Sequence, residues 1–333
     1  MAEVAVIKPD HLGDFVLSLP ALRALHACIG AFDLYAAPAN RFLHDHFLPS
    51  ELAFHPLRLP HLAKGGDAPD AGPVVRDILA THAQVFYLRD DGAIDALAAD
   101  FPGVLQTMRS GIVDHETARQ RDTLAPWTGH YSRTAYAGWR PGAWPSAIDH
   151  VGICLSAGFT SNKLPTVFWH EFARLLSDRD VTQLCLIGGP QERAEAHLLA
   201  RLLGGSVDVL IGGADIEAFH ARLGQCDVVV GADSGTLHLA SMVVPVLGVF
   251  TSSPWWRYAP FGRHNRVVFA EVDCSPCIQF SRDAYNGCLT RECAALIAPR
   301  DLFAALWDDD NVIQNAMSPG VSFVAGPSHW QGT

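Results

Sequence analysis

The stretch Gly231-Ala232-Asp233-Ser234-Gly235-Thr236-Leu237-His238 gathers the residue types a phosphate needs. It follows the apolar run 226–230, which reads as a buried parallel strand. It precedes 239–242, which reads as a helix. Small and hydroxylated residues therefore stand at a helix mouth. The first N–H groups of a helix have no internal partner and lie at the positive end of its dipole. Small side chains let a phosphate approach them, which suits a diphosphate leaving group. The same residues also suit an ordinary cap, with Asp or Ser closing the helix.

Three other turns could carry chemistry. The first strand runs into Lys8-Pro9-Asp10-His11-Leu12-Gly13-Asp14, where Gly13 permits a tight turn and Asp14 opens a helix. Asp14 reads either as a helix cap or as a base facing a bound hydroxyl. The loop 156–165 is polar, holds Ser161 and Lys163, and feeds a helix with Pro165 at its start. Lys163 reads as a solvated lysine or as the charge that offsets a diphosphate. In the turn 187–193, glycines allow close approach, and Glu192 could accept bonds from ribose hydroxyls or simply complement the helix dipole. Turns at the carboxyl ends of strands in one sheet converge, and that convergence makes the second half of the chain a nucleotide-binding candidate.

Cys274, Cys277, Cys288 and Cys293 form a C-x2-C-x10-C-x4-C cluster. Four thiolates so close in sequence can close a tetrahedral site for structural zinc or iron, and four protein ligands leave no open position for catalysis. Unligated thiols or a disulfide are the alternatives. The other four cysteines sit singly in apolar elements and read as small core residues.

The elements that must position these residues alternate along the chain. Strands are expected at 4–7, 32–36 and 85–88, with helices at 14–27, 74–81 and 91–99. A stretch rich in Pro, Gly and Trp, 139–146, then breaks the pattern and reads as a linker. The alternation restarts with strands at 151–155, 183–187, 207–211, 227–230 and 246–250. Helices are expected at 166–177, 191–203 and 215–223. This is the pattern of α/β domains with parallel sheets covered on both faces. The expected division is an N-terminal domain at 1–140, a linker at 141–150 and a C-terminal domain at 151–310, with a Cys-rich segment at 274–293. A tail at 311–333 has no assigned place.

Composition excludes several classes. At 49% hydrophobic residues the 333-residue chain has ample material for a core. Its net charge of −11 disfavours a nucleic-acid partner, which would need phosphate-neutralising Lys and Arg. No dinucleotide G-x-G-x-x-G follows the first strand, and no Walker A motif or G-x-S-x-G elbow occurs, so a dehydrogenase, a P-loop NTPase and an α/β-hydrolase are disfavoured. Lys8, Pro9, Asp10 and His11 interrupt the first apolar run, unlike a signal peptide, and 237–250 is too short to span a bilayer. The expected location is cytoplasmic, or peripheral at the inner membrane.

Taken together, 8–22, 156–165 with Lys163, and Asp233-Ser234-Gly235-Thr236-Leu237-His238 resemble glycosyltransferase family 9, the ADP-heptose heptosyltransferases. Their order and spacing agree over residues 4–277. The resemblance implies a GT-B fold, two doubly wound Rossmann-like domains facing across a cleft, with acceptor on the first and sugar nucleotide on the second. It implies inverting transfer of a heptose from ADP-heptose to a hydroxyl on lipopolysaccharide core, protein or small glycoside, with no catalytic metal. Asp14 matches the family's base and Lys163, beside Ser161, its phosphate-contacting lysine. Asp233, Ser234, Gly235 and Thr236 match its diphosphate loop, and Glu192 its ribose-contacting acid. Some family members hold iron on similar cysteines, and the cluster could also serve self-assembly. Many members have His-Pro-Gly-Ala where this chain has Leu155-Ser156-Ala157-Gly158, and Trp where it has Leu164, departures that bear on the donor sugar and leave room for another nucleotide sugar.

Overall fold

A computed structural model describes residues 3–62, 70–108, 114–129, 143–179, 181–213, 215–262, 264–277, 288, 290–307, 317–319 and 321–325. The chain divides into two compact units, Met1–Gly138 and Trp139–Thr333. Each is a doubly wound α/β unit around a parallel sheet, the class the alternating pattern implies.

The first sheet comprises β1 (Val4–Lys8), β2 (Asp33–Ala36), β3 (Ala53–Pro56), β4 (Gln84–Tyr87) and β5 (Leu105–Thr107), in the order β3-β2-β1-β4-β5. Every pairing is parallel. The order reverses between β1 and β4, so the loops after these two strands meet at the topological switch point, where open α/β sheets bind ligands. Helix Glu116–Thr128 was not anticipated, since its mean hydropathy and periodicity are weak and its buried face includes Arg119, Gln120 and Thr123.

The helix expected at 14–27 is two helices, Leu12–Val16 and Leu19–Ile29. Pro20, near the start of the second, could not continue the first, because it has no N–H to give and its ring would strike the carbonyl four residues back. Ser18 seals the break: its Oγ donates to the Asp14 carbonyl at 2.8 Å. Residues Leu12–Ile29 have a mean hydropathy of 1.4, enough by length and composition to cross a bilayer, yet 61% of the stretch is buried within the protein.

The second sheet holds β6 (His150–Cys154), β7 (Gln183–Gly188), β8 (Val207–Ile211), β9 (Val228–Ala232), β10 (Val246–Phe250), β11 (Arg266–Ala270) and β12 (Val321–Ala325). Their order is β12-β11-β10-β9-β6-β7-β8, parallel except for β12, which runs antiparallel to β11. The switch point lies between β6 and β9. Gly231 makes their close approach feasible, because a Cβ there would lie 2.6 Å from that of Cys154. Helix Thr166–Ser177 buries Phe168, Trp169, Phe172 and Leu176 on one face, as its periodicity predicts.

Two parts of the chain are more integrated than expected. Residues 139–142 of the presumed linker lie outside the described residues, but Trp144 joins the second unit's core. Its indole donates to the Leu306 carbonyl at 3.0 Å, and Arg266 lies 4.0 Å over its ring. The tail, without a place in the sequence reading, contributes β12.

Candidate functional site

In the second unit, four strand-end loops meet at and beside the switch point. Ser234 caps the helix Gly235–Ala240, with its Oγ accepting the Leu237 N–H at 3.2 Å. The capping alternative is therefore realised at Ser234, which is buried, while Gly235 and Thr236 are partly exposed at the helix mouth. Asp233 precedes them. Its carbonyl accepts the Gly158 N–H at 2.8 Å, and its carboxylate lies 3.4 Å from His238 Nε2. The last residue of the motif thus orients the first.

Lys163 follows β6 and extends between two carboxylates, Glu195 at 2.8 Å and Glu192 at 3.5 Å. Burial pulls its ammonium pKa down, but the hydrogen bond and charge of Glu195, then Glu192, outweigh that and leave it raised. Glu192 also accepts the Gly189 N–H at 3.0 Å, so it both caps its own turn and faces Lys163. Glu195, absent from the sequence reading, is held by the Thr166 hydroxyl at 2.8 Å.

Ser161 differs from its expected role. It is buried, and its hydroxyl lies 2.8 Å from that of Ser252, so it braces the loop after β10 rather than presenting itself to a ligand. Its neighbour Asn162, which sequence reasoning passed over, is the hub of the site and is fully buried. Its Oδ1 accepts the Thr251 hydroxyl and the Ser252 N–H, each at 3.0 Å. Its Nδ2 donates to Ser253 Oγ at 2.7 Å and reaches Asp233 Oδ2 at 3.5 Å. One amide thereby joins the loops after β6, β9 and β10. The sequence signal was the polar residue beside Lys163 together with Thr251-Ser252-Ser253 immediately after an apolar strand.

Of the four clustered cysteines, the Cys277 thiol reaches the Cys274 carbonyl at 3.4 Å. Burial first, then the charges of Cys288 and Cys274, raises the Cys277 thiol, and burial followed by Cys277 pushes Cys293 up to about 11. Among the described residues, no group of three or more His, Cys, Asp or Glu side chains is arranged to hold a metal. Residues 278–287 of the Cys-rich segment lie outside the described residues. Arg291 links the cluster to the Lys163 loop. Its backbone N–H donates to Cys288 Sγ at 3.3 Å and its guanidinium donates to the Lys163 carbonyl.

In the first unit, Asp14 does not occupy the cap position of its helix. His11 does, and Asp14 stands in the first turn, partly exposed. The loops after β1 and β4 carry a dense ion network at the switch point. Lys8, 1% exposed, donates to the Leu88 carbonyl at 2.9 Å and pairs with Asp10 at 3.2 Å. Arg89 binds Asp10 and Asp91, while Arg119 binds Asp90 at 2.6 Å and Glu116 at 3.1 Å. Asn40 holds the Asp10 carbonyl at 2.9 Å. Burial opposes the charge of Asp91, but Arg89 outweighs it and holds the carboxyl well below its ordinary range.

Two doubly wound units, with a polar cradle at the switch point of one and a partly exposed carboxylate at that of the other, have the construction of a nucleotide-sugar glycosyltransferase. Residues 93–286, more than half the chain, match the family model glycosyltransferase family 9 (heptosyltransferase). The chain belongs to that family and is a glycosyltransferase. No curated protein matches the chain in sequence. Among solved structures, the fold is similar to Escherichia coli heptosyltransferase WaaC with ADP, at 20% identity and a TM-score of 0.60, covering 79% of this chain and 92% of that one. It is similar to a glycosyltransferase family 9 protein from Veillonella parvula at 15% identity and 0.64, covering 94% and 97%. It is also similar to TibC, a dodecameric iron-containing glycosyltransferase from enterotoxigenic E. coli, at 13% and 0.51, covering 94% and 76%.

Proposed function

We propose that this glycosyltransferase moves a heptose from ADP-heptose to an acceptor hydroxyl with inversion at the anomeric carbon. The observation that carries the reading is the convergence of Lys163, Glu192 and the Asp233–Thr236 turn at the β6/β9 switch point of the second unit. Glu192 faces the ribose hydroxyls, while Lys163 and the amides at Gly235 and Thr236 face the diphosphate. The acceptor oxygen attacks C1 as the bond from C1 to the phosphate oxygen breaks. Asp14 takes the hydroxyl proton, and ADP departs with its new charge against Lys163 and the amides. A carboxylate is a weak base toward a free alcohol. It becomes adequate as C–O bond formation acidifies the hydroxyl, a contribution of roughly 10²–10⁴-fold.

The donor set of Cys274, Cys277, Cys288 and Cys293 suits structural zinc or iron, and a metal there would draw the four thiols together as thiolates. Its place would be structural, steadying the Arg291 contact to the Lys163 loop.

The test is transfer itself. Purified protein is incubated with ADP-heptose and a lipopolysaccharide-core, protein or small-glycoside acceptor, and the products are weighed by mass spectrometry. The expected result is release of ADP with a heptose added to one acceptor class. Tight ADP binding without transfer to any class would leave a sugar-nucleotide-binding module instead. Transfer only from a different sugar nucleotide would move the donor assignment to that sugar.

A further inference from the structure

A cavity of about 330 Å³ opens in the second unit at the carboxyl ends of β10 and β11. Thr251, Ser253, Trp255, Trp256, Glu271 and Asp273 are among the residues that line it. Lys163, Glu192 and the Asp233–Thr236 turn lie outside it. Its place in the sheet order is informative. From β7 across β6 and β9 to β10 and β11, Glu192 comes first, then Lys163 and the Asp233 turn, then the cavity. A nucleoside diphosphate laid along that edge with its ribose at Glu192 points its distal phosphate, and whatever that phosphate carries, toward the cavity. Asn162 makes the adjacency concrete, because the same Nδ2 that reaches Asp233 also donates to Ser253 in the cavity wall.

We propose that this cavity receives the sugar of the donor, a neutral ring rich in hydroxyls. The inference rests on the donor reading above and extends it to the residues that select the sugar. The volume lies at the lower end of the roughly 300–1,000 Å³ typical of ligand pockets, which fits one sugar better than a whole sugar nucleotide. The lining has the matching chemistry. Trp255 stacks on Phe269 at 5.0 Å and Trp256 meets Trp255 edge-on at 6.0 Å, giving a firm aromatic wall for the C–H face of a ring. Glu271 and Asp273 accept hydrogen bonds from hydroxyls, the stronger for being charged. Glu271 is itself steadied by the Ser322 hydroxyl at 2.6 Å. The same two carboxylates repel a sugar that bears its own carboxylate, so the pocket rejects uronic and sialic classes as well as fitting a neutral one.

The experiment is calorimetric binding of ADP and of ADP-heptose to wild type, Asp273→Asn and Trp256→Ala, with a melting curve for each. Asp273 is exposed, so its variant keeps the fold even if the Trp256 variant does not. Wild type is expected to bind ADP-heptose more tightly than ADP. Asp273→Asn is expected to weaken ADP-heptose at least tenfold while changing ADP less than twofold, with Trp256→Ala the same or larger. If both ligands weaken alike, or neither changes, the cavity does not hold the sugar, although the donor reading stands. If wild type binds neither ligand, the donor reading fails and the cavity assignment fails with it.

Discussion

The two switch points solve opposite electrostatic problems. In the first unit, Lys8, Asp10, Arg89, Asp90, Asp91, Glu116 and Arg119 pair with one another at the strand ends. In the second, the centre is made of hydroxyls and one amide, with Asn162, Ser161, Ser234, Thr251, Ser252 and Ser253 buried together. One carboxylate, Asp233, stands among them against His238, and the other charges, Lys163, Glu192 and Glu195, stand at the rim. Paired ions, most of them shielded from water, make a stiff frame with a fixed field at the ends of β1 and β4. A hydroxyl-rich cradle suits the arrival and departure of a phosphate group, because it offers dipoles without locking in a cation. Lys163, already flanked by two carboxylates, is the exception, since a donor must compete for it.

The contrast is broken most sharply at Asp14. Asp14→Asn should lower turnover by roughly 10²–10⁴-fold, the usual span for removing a positioned base. ADP affinity and melting temperature should stay at wild type, because His11 and not Asp14 holds the cap position. Turnover within a few-fold of wild type would remove Asp14 from the chemistry.

The frames themselves should differ in fragility. Arg119→Ala takes the nearer cation from buried Glu116, leaving Lys8 at 4.0 Å, and losing one partner of a buried pair costs about 3–5 kcal/mol. Asn162→Ala strands the Thr251 and Ser252 donors, a loss of about 1–3 kcal/mol, and should also weaken ADP by loosening the Asp233 turn. Chemical denaturation gives both values. Equal losses would mean that the ion network contributes no more stiffness than the hydroxyl cluster.

How much of this was legible follows the same division. Strands β6 to β10 are continuous apolar runs punctuated by Gly or polar residues, so their ends, and the turns at Lys163, Glu192 and Asp233, could be read directly. Helix Glu116–Thr128 could not, because the side chains it buries are polar and only become sensible once Asp90 and Lys8 lie beside them. The two helices within 12–29 looked like one, since the apolar pattern runs through Leu17 while the break depends on Pro20 and the Ser18 bond to Asp14. Ser161 and Asn162 show the limit most clearly. Adjacent polar residues in one loop gave no sign of which faces a ligand, and both turn out to brace the loop after β10.

The smallest expected effect separates competition from positioning at Lys163. Its pKa is raised in the folded protein, so any stability it lends is fully present below the ordinary lysine value of about 10.4 and is lost only as pH rises through the higher folded value. Asp91 behaves in the opposite sense. Its carboxyl is held low, so its contribution is present above about 3.9 and disappears as pH falls. Acid should therefore loosen the first unit's network while Lys163 stays charged, and ADP affinity should not vary between pH 7 and 9 on account of Lys163. Within that window, Glu195→Gln removes the nearer competitor for the ammonium. For a partly exposed pair worth roughly 0.2–1 kcal/mol, ADP should bind tighter by up to about fivefold. Weaker binding by the variant would mean that Glu195 aims Lys163 at the diphosphate rather than withholding it. The rim of the second site would then be a preset frame like that of the first.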